Sequence, residues 1–134
     1  KKHDLFLIPI SKNGRSSTDV LKSLNMDNRE SILEIVKDGF EYLNKDNFNN
    51  FNQLILDSWE EKKKTSNLIT NLNIVNLEKY LKKCKNVYYK LCGAGGGGYM
   101  LIIKENKNSL DFLQKHSYIN INIDSRGIKS WELN

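Results

Sequence analysis

The stretch of this chain best suited to chemistry is a run of five glycines and one alanine. Its members are Gly93, Ala94, Gly95, Gly96, Gly97 and Gly98. Because glycine has no Cβ, such a loop can take positive φ and turn several backbone N–H groups toward one point, which forms an anion-binding concavity. It can equally let a phosphate or another backbone segment approach closely. Composition alone leaves two interpretations open, a phosphate- or ligand-facing loop and a structural tight turn.

The sequence around these glycines argues against the familiar nucleotide-binding motifs. The run contains the pattern G-x-G-x-x-G, which in dinucleotide-binding proteins opens a helix and precedes an acidic residue about 20 positions later. Here the β-prone run 99–103 follows, and position 118 is tyrosine. A Walker A loop needs Gly-Lys-Ser/Thr after its glycines, and this chain has Tyr99 and Met100 there. A flexible linker joins polar segments, whereas apolar segments flank this loop.

Three other residues are candidates for binding a substrate. Arg15 and Ser16 stand in a Ser- and Thr-rich turn that could hold a phosphate, since arginine suits a bidentate phosphate contact; an exposed turn arginine is the alternative. Lys62 follows Trp59 by one helical turn and could face a substrate cleft; a solvated helix lysine is the alternative. Trp59 itself is predicted to be a core residue. We identify no catalytic residue and no metal-ligand set in the chain.

The overall composition predicts one domain spanning residues 1–134. The chain has 21 basic and 16 acidic residues, for a formal charge of +5. The lysines are dispersed, which favours a solvated basic surface, and the aromatic pair of a typical RNA-binding sheet is missing.

No apolar run approaches the roughly 20 residues that span a bilayer, and no signal peptide is evident. Cys84 and Cys92 fit neither a disulfide framework nor a zinc spacing, which favours the cytoplasm. We therefore expect neither a nucleic-acid nor a membrane partner.

The order of predicted elements is that of an α+β domain. Apolar runs and turn residues predict a strand at 5–8, and apolar periodicity predicts the helices that follow it. The predicted helices begin at Ser17 or Thr18, at Asp27 or Asn28, near Phe48 and near Asn73. Further strands are predicted at 87–91, 99–103, 119–123 and 128–133, with a helix capped by Ser109 between the second and third of these.

The glycine run lies in a segment that resembles a known family. The sequence KLCGAGGGGYM, residues 90–100, resembles the third motif of the GHMP kinases, and is most similar to the branch containing D-glycero-D-manno-heptose phosphate kinases. Upstream, WEEKK at 59–63, followed by Ser66 and residues 69–71, resembles a helix and Ser-containing turn of that branch. GRSS at 14–17 resembles its Gly-x-Ser-Arg-Ser-Ser segment imperfectly. The likeness runs from about residue 5 to residue 100 and is weaker beyond.

This resemblance implies a fold and an activity. The implied fold is the ferredoxin-like C-terminal domain of a GHMP kinase, an antiparallel sheet with helices packed on one face. The implied activity is phosphoryl transfer from ATP to a sugar or sugar phosphate, with Mg²⁺, and the glycine loop would line the transfer site.

The family's ATP-cradling loop, Pro-x-x-x-Gly-Leu-Gly-Ser-Ser, does not occur in this sequence. In the family that loop belongs to an N-terminal domain, which also supplies the catalytic Asp and the Mg²⁺-binding acid. Because the chain also begins with Lys rather than Met, we expect a fragment whose partner is that domain and which has no kinase activity alone. The alternative is a stand-alone ferredoxin-like module that binds a small molecule or a protein without catalysis.

Overall fold

The computed structural model describes residues 3–11, 16–105 and 116–123. Within these ranges the chain forms four strands and four helices. They are β1 (His3–Ile10), α1 (Ser17–Lys22), α2 (Arg29–Asn44), α3 (Phe48–Lys64), α4 (Leu72–Leu81), β2 (Val87–Cys92), β3 (Gly98–Glu105) and β4 (Ile119–Ile121).

The four strands form one antiparallel sheet in the order β2-β3-β1-β4. The register places Met100 of β3 between Ile8 of β1 and Leu91 of β2. Because side chains alternate across a strand, these three residues point to the same face of the sheet. All three are buried, so this face supplies the hydrophobic core. The predicted α+β class with an antiparallel sheet is confirmed.

Helices α3 and α4 contribute to the same core. Ile74, Leu77 and Leu81 recur at helical spacing on α4 and are buried in the cluster that contains the sheet residues. Trp59 of α3 is fully buried in that cluster, which confirms its prediction as a core residue. Its Nε1 donates a hydrogen bond to Glu78 Oε1 of α4 at 2.9 Å. The buried indole N–H therefore has an acceptor, and the bond ties α3 to α4.

Helices α2 and α3 form a helical hairpin. The chain reverses between them through Asp46, whose φ is +52°, and Asn47 caps α3 by accepting a hydrogen bond from the N–H of Asn50. α2 packs on α3 and α3 packs on β2. The pattern of apolar residues predicted both helices, but much of the apolar face of α2 is exposed, with Phe40 69% and Val36 64% accessible.

Predicted and observed boundaries differ by a few residues. The cap of α1 is Ser16 rather than Ser17 or Thr18, because Ser16 and Asp19 satisfy each other's backbone N–H groups in a capping box. α4 begins one residue before its predicted start and is capped by Asn71. The predicted helix after Ser109 and the predicted strand at 128–133 lie outside the described residues. No described helix has the length and apolar character needed to span a membrane.

Candidate functional site

The glycine run forms the connection between β2 and β3. The two strands pair as far as Cys92 and Tyr99, so the six residues between them make a wide loop. The φ angles are +82° at Gly93, +130° at Gly95, +72° at Gly96, +149° at Gly97 and +111° at Gly98. Side chains with a Cβ rarely adopt such values. The loop conformation therefore favours glycine at these positions.

The middle of the loop is packed against the segment that precedes α4. A Cβ at Gly95 would lie 2.9 Å from Ile69 Cδ1, 3.0 Å from Ile69 Cα and 3.3 Å from Val20 Cγ1. The N–H of Gly96 donates a hydrogen bond to Ile69 O at 2.8 Å. Asn71 Nδ2 donates to Gly96 O, also at 2.8 Å. Gly95 and Gly96 therefore fix the loop in place.

The start of the loop has different surroundings. Gly93 is exposed, and apart from Gly93 and its two chain neighbours no described atom lies within 4 Å of the position a Cβ would take there. The Nζ of Lys62 donates a hydrogen bond to Gly93 O. Gly93 and Ala94 line an open cavity together with Lys62 and Lys90. This part of the loop is accessible to a ligand.

Lys62 and Lys90 give this part of the site a positive charge. Burial lowers the pKa of Lys62, and the nearby charge of Lys90 lowers it further, while Cys92 acts in the opposite direction. Two ammonium groups that repel each other in partly desolvated surroundings favour the binding of an anion. The sequence offered two environments for Lys62, a cleft and a solvated helix face. The structure places the residue in the cavity.

The other two candidates are Arg15 and Ser16. Arg15 lies outside the described residues, and Ser16 does not line the cavity. Ser16 is described, and its hydroxyl both accepts from the N–H of Asp19 at 3.1 Å and donates to the carboxylate of Asp19 at 2.7 Å. These bonds give Ser16 a structural role at the start of α1. In the described part of the chain, no group of three His, Cys, Asp or Glu residues could hold a metal ion.

The cavity itself is an apolar groove of about 630 Å³. Its walls are α2 and α3, and one end is closed by the loop residues Gly93 and Ala94 and by Leu24 after α1. The lining is almost entirely aliphatic and aromatic, with Lys62 and Lys90 as the charged members. A concave apolar site with a few polar groups at one end has the form of a small-molecule pocket.

No protein-family model, curated protein or solved structure matches this chain.

Sequence analysis did not assign a role to Asn71 or Lys90. A signal for Asn71 existed, since an asparagine just before an amphipathic run is typical of a helix N-cap. A weaker signal existed for Lys90, which lies between the buried Tyr89 and Leu91 and so points to the opposite face of β2. Neither signal reveals that the two residues contact or flank the glycine loop, because that depends on the packing of helices distant in sequence.

Proposed function

We propose that this chain is the C-terminal domain of an ATP-dependent sugar or sugar-phosphate kinase of the GHMP type, similar to the heptose phosphate kinases. One observation carries the proposal. Two segments that bear the resemblance, 59–71 and 90–100, are separated in sequence by α4, yet they meet at the glycine loop. Lys62 contacts Gly93, while Ile69 and Asn71 contact Gly96. Chance likeness in separate segments gives no reason for them to assemble around one loop.

The sheet topology supports the same proposal. Four antiparallel strands in the order β2-β3-β1-β4, with helices between β1 and β2, are consistent with a ferredoxin-like fold. The glycine loop 93–98 joins two antiparallel strands of this sheet, β2 and β3.

The surroundings of the loop suit a transferred phosphate. Phosphoryl transfer depends mainly on positioning and on stabilising the charge of the phosphoryl oxygens. In the proposed role, Gly95 and Gly96 hold the loop rigid against the segment before α4. The accessible residues Gly93 and Ala94, together with the ammonium groups of Lys62 and Lys90, then form the positively charged side of the transfer site.

We assign ATP and Mg²⁺ mainly to the N-terminal domain of the same protein. In the family, that domain supplies the catalytic Asp and the Mg²⁺-binding acid. The acceptor is a sugar or sugar phosphate, with heptose phosphate as the family-level choice. The proposed location is the cytoplasm, with neither nucleic acid nor a membrane as partner.

The coding DNA upstream of Lys1 tests this proposal directly. An open frame of roughly one further domain that contains Pro-x-x-x-Gly-Leu-Gly-Ser-Ser would support a kinase. A stop codon or start site immediately before Lys1 would refute the kinase proposal and favour the second candidate, a stand-alone binding module. The observation that favours the second candidate is the groove of about 630 Å³ beside the loop.

An activity assay provides the second test. The protein that includes the upstream domain should consume ATP only when a sugar or sugar phosphate is present, and residues 1–134 alone should show no turnover. Lys62→Met should lower kcat/KM, whereas the matched variant Lys37→Met on the exposed face of α2 should leave it unchanged. Turnover by residues 1–134 alone would contradict the proposed division of the active site.

A further inference from the structure

The groove between α2 and α3 has a property that a sugar site does not require. Its walls are apolar over most of their length, and some of the largest side chains are strongly exposed, including Phe40 on α2. Sugars and sugar phosphates are bound mainly through hydrogen bonds, and this lining offers few groups that could donate or accept them. Exposed apolar surface of this kind gains free energy when an apolar ligand covers it.

The groove is long enough for an extended ligand. Phe51 lies toward one end and Lys62 toward the other, and the axis of α3 rises about 16 Å between them at about 1.5 Å per residue. Gly39 of α2 lies between these ends and is buried, and a Cβ there would lie 3.8 Å from Leu54 and from Phe51 on α3. Gly39 therefore lies on the floor of the groove, where α2 contacts α3.

The two ends of the groove differ in charge. Lys62 and Lys90 line the end beside the glycine loop. No carboxylate in the described ranges lies within 4 Å of the Nζ of Lys62 or of Lys90, whereas the neighbouring Lys63 and Lys64 both pair with glutamates. An incoming anion would compensate both charges in partly desolvated surroundings, where such an interaction is strong.

We propose that this groove binds a soluble anionic amphiphile, with its single carboxylate or phosphate against Lys62 and Lys90 and its apolar chain between α2 and α3. The apolar walls supply affinity and the lysines set the orientation of the ligand. A free molecule fits a concave site between two helices, whereas a bilayer surface would contact only the rims. This inference goes beyond the proposed kinase and does not depend on it.

Isothermal titration calorimetry on the full chain near neutral pH tests the proposal, with decanoate and decyl phosphate as anionic probes below their micelle concentrations. Decanol serves as the neutral probe, decylammonium as the cationic probe and acetate as the head group alone. At least one anionic probe should bind about tenfold or more tightly than decanol. Decylammonium should bind more weakly than decanol, and acetate should not bind measurably.

Two lysine variants and one control identify the site. Lys62→Met and Lys90→Met should each weaken binding of the anionic probe by about tenfold while leaving binding of decanol nearly unchanged. Lys90→Met is included because Lys62→Met also removes the hydrogen bond to Gly93 O. Lys37→Met, which lies outside the groove, should bind like the wild type. Phe40→Ser should weaken the binding of the anionic and neutral probes alike, since it removes part of the apolar wall of the groove.

Several results would overturn the proposal. Equal affinity for decanoate, decyl phosphate and decanol would show that the lysines do not recognise the ligand. Absence of binding by all the chain-bearing probes would show that the groove is not a ligand site. Binding to phosphatidylglycerol vesicles without binding to either free anion would identify a membrane surface instead. Dimerisation that buries the groove, detected by analytical ultracentrifugation and abolished by Phe40→Ser, would identify a second copy as the occupant. If the upstream DNA encodes no kinase domain, the kinase proposal fails but the binding results for the groove still stand.

Discussion

The side chain of Asn71 donates a hydrogen bond to Gly96 O at 2.8 Å while its own Oδ1 accepts one from the N–H of Ile74 at 2.9 Å. One buried asparagine therefore caps α4 and holds the glycine loop. The second hydrogen bond of the loop, from Gly96 N–H to Ile69 O, lies two residues away along the same segment. The position of the loop is thus coupled to the start of α4.

This coupling predicts different effects for two substitutions at Asn71. Asn71→Ala removes the helix cap and leaves the buried Gly96 carbonyl without its donor, so it should lower the free energy of unfolding by about 2–3 kcal/mol. Asn71→Asp keeps a capping oxygen but loses the amide donor, so it should retain the cap and lose the attachment of the loop. Urea denaturation measures both, with the exposed Asn73→Ala as the control. Equal stability of the alanine variant and this control would contradict the coupling.

The two ends of the glycine loop should respond differently to alanine. At Gly95 a Cβ would approach the backbone of Ile69 within 3.0 Å in addition to requiring positive φ, so Gly95→Ala should cost about 3 kcal/mol of stability. At Gly93 the space is open, so Gly93→Ala should cost only the backbone strain, about 1 kcal/mol. Thermal unfolding of the two variants compares them. A larger loss at Gly93 than at Gly95 would contradict the packing described for the loop.

Much of the fold was predictable because its signals are local. The apolar run 87–91 predicts the strand β2, and the periodicity of Ile74, Leu77 and Leu81 predicts both α4 and its inner face. The positive φ angles of the loop were also predictable, because glycine adopts such angles without a steric penalty. These features depend on neighbouring residues and not on how distant elements pack.

The arrangement of the site was less predictable for the opposite reason. The apolar stripe of α2 predicts an amphipathic helix, but Phe40 is largely exposed because α2 packs mainly on α3 at the edge of the molecule. Likewise, the sequence did not determine whether the side chain of Lys62 faces solvent or a cleft. Its place beside Gly93 follows from the way α3 lies along β2, which no periodicity encodes.

Gly39 provides a test of how closely α2 and α3 approach. A glycine inside a helix costs about 1 kcal/mol relative to alanine, and a Cβ at this position would make ordinary contacts at 3.8 Å with Phe51 and Leu54. Gly39→Ala should therefore raise the free energy of unfolding by about 1 kcal/mol, as measured by urea denaturation. Ser31→Ala, at an exposed position of the same helix, should give a smaller gain of about 0.5 kcal/mol. Destabilisation by Gly39→Ala would show that the helices pack more tightly than described.

The buried phenol of Tyr89 should make the fold sensitive to alkali. Burial raises the pKa of Tyr89, and the carboxylates of Glu78 and Glu60 raise it further. Because this pKa is higher in the folded than in the unfolded chain, the stability it contributes is complete below about pH 10 and is lost as the pH rises from there through the folded pKa. The free energy of unfolding of the wild type should therefore fall, relative to Tyr89→Phe, between about pH 9 and about pH 11. Urea denaturation at the two pH values measures this difference, and Tyr99→Phe removes the same hydroxyl from an exposed strand position as the control. A constant difference between wild type and Tyr89→Phe across this range would contradict a buried, neutral phenol in the core.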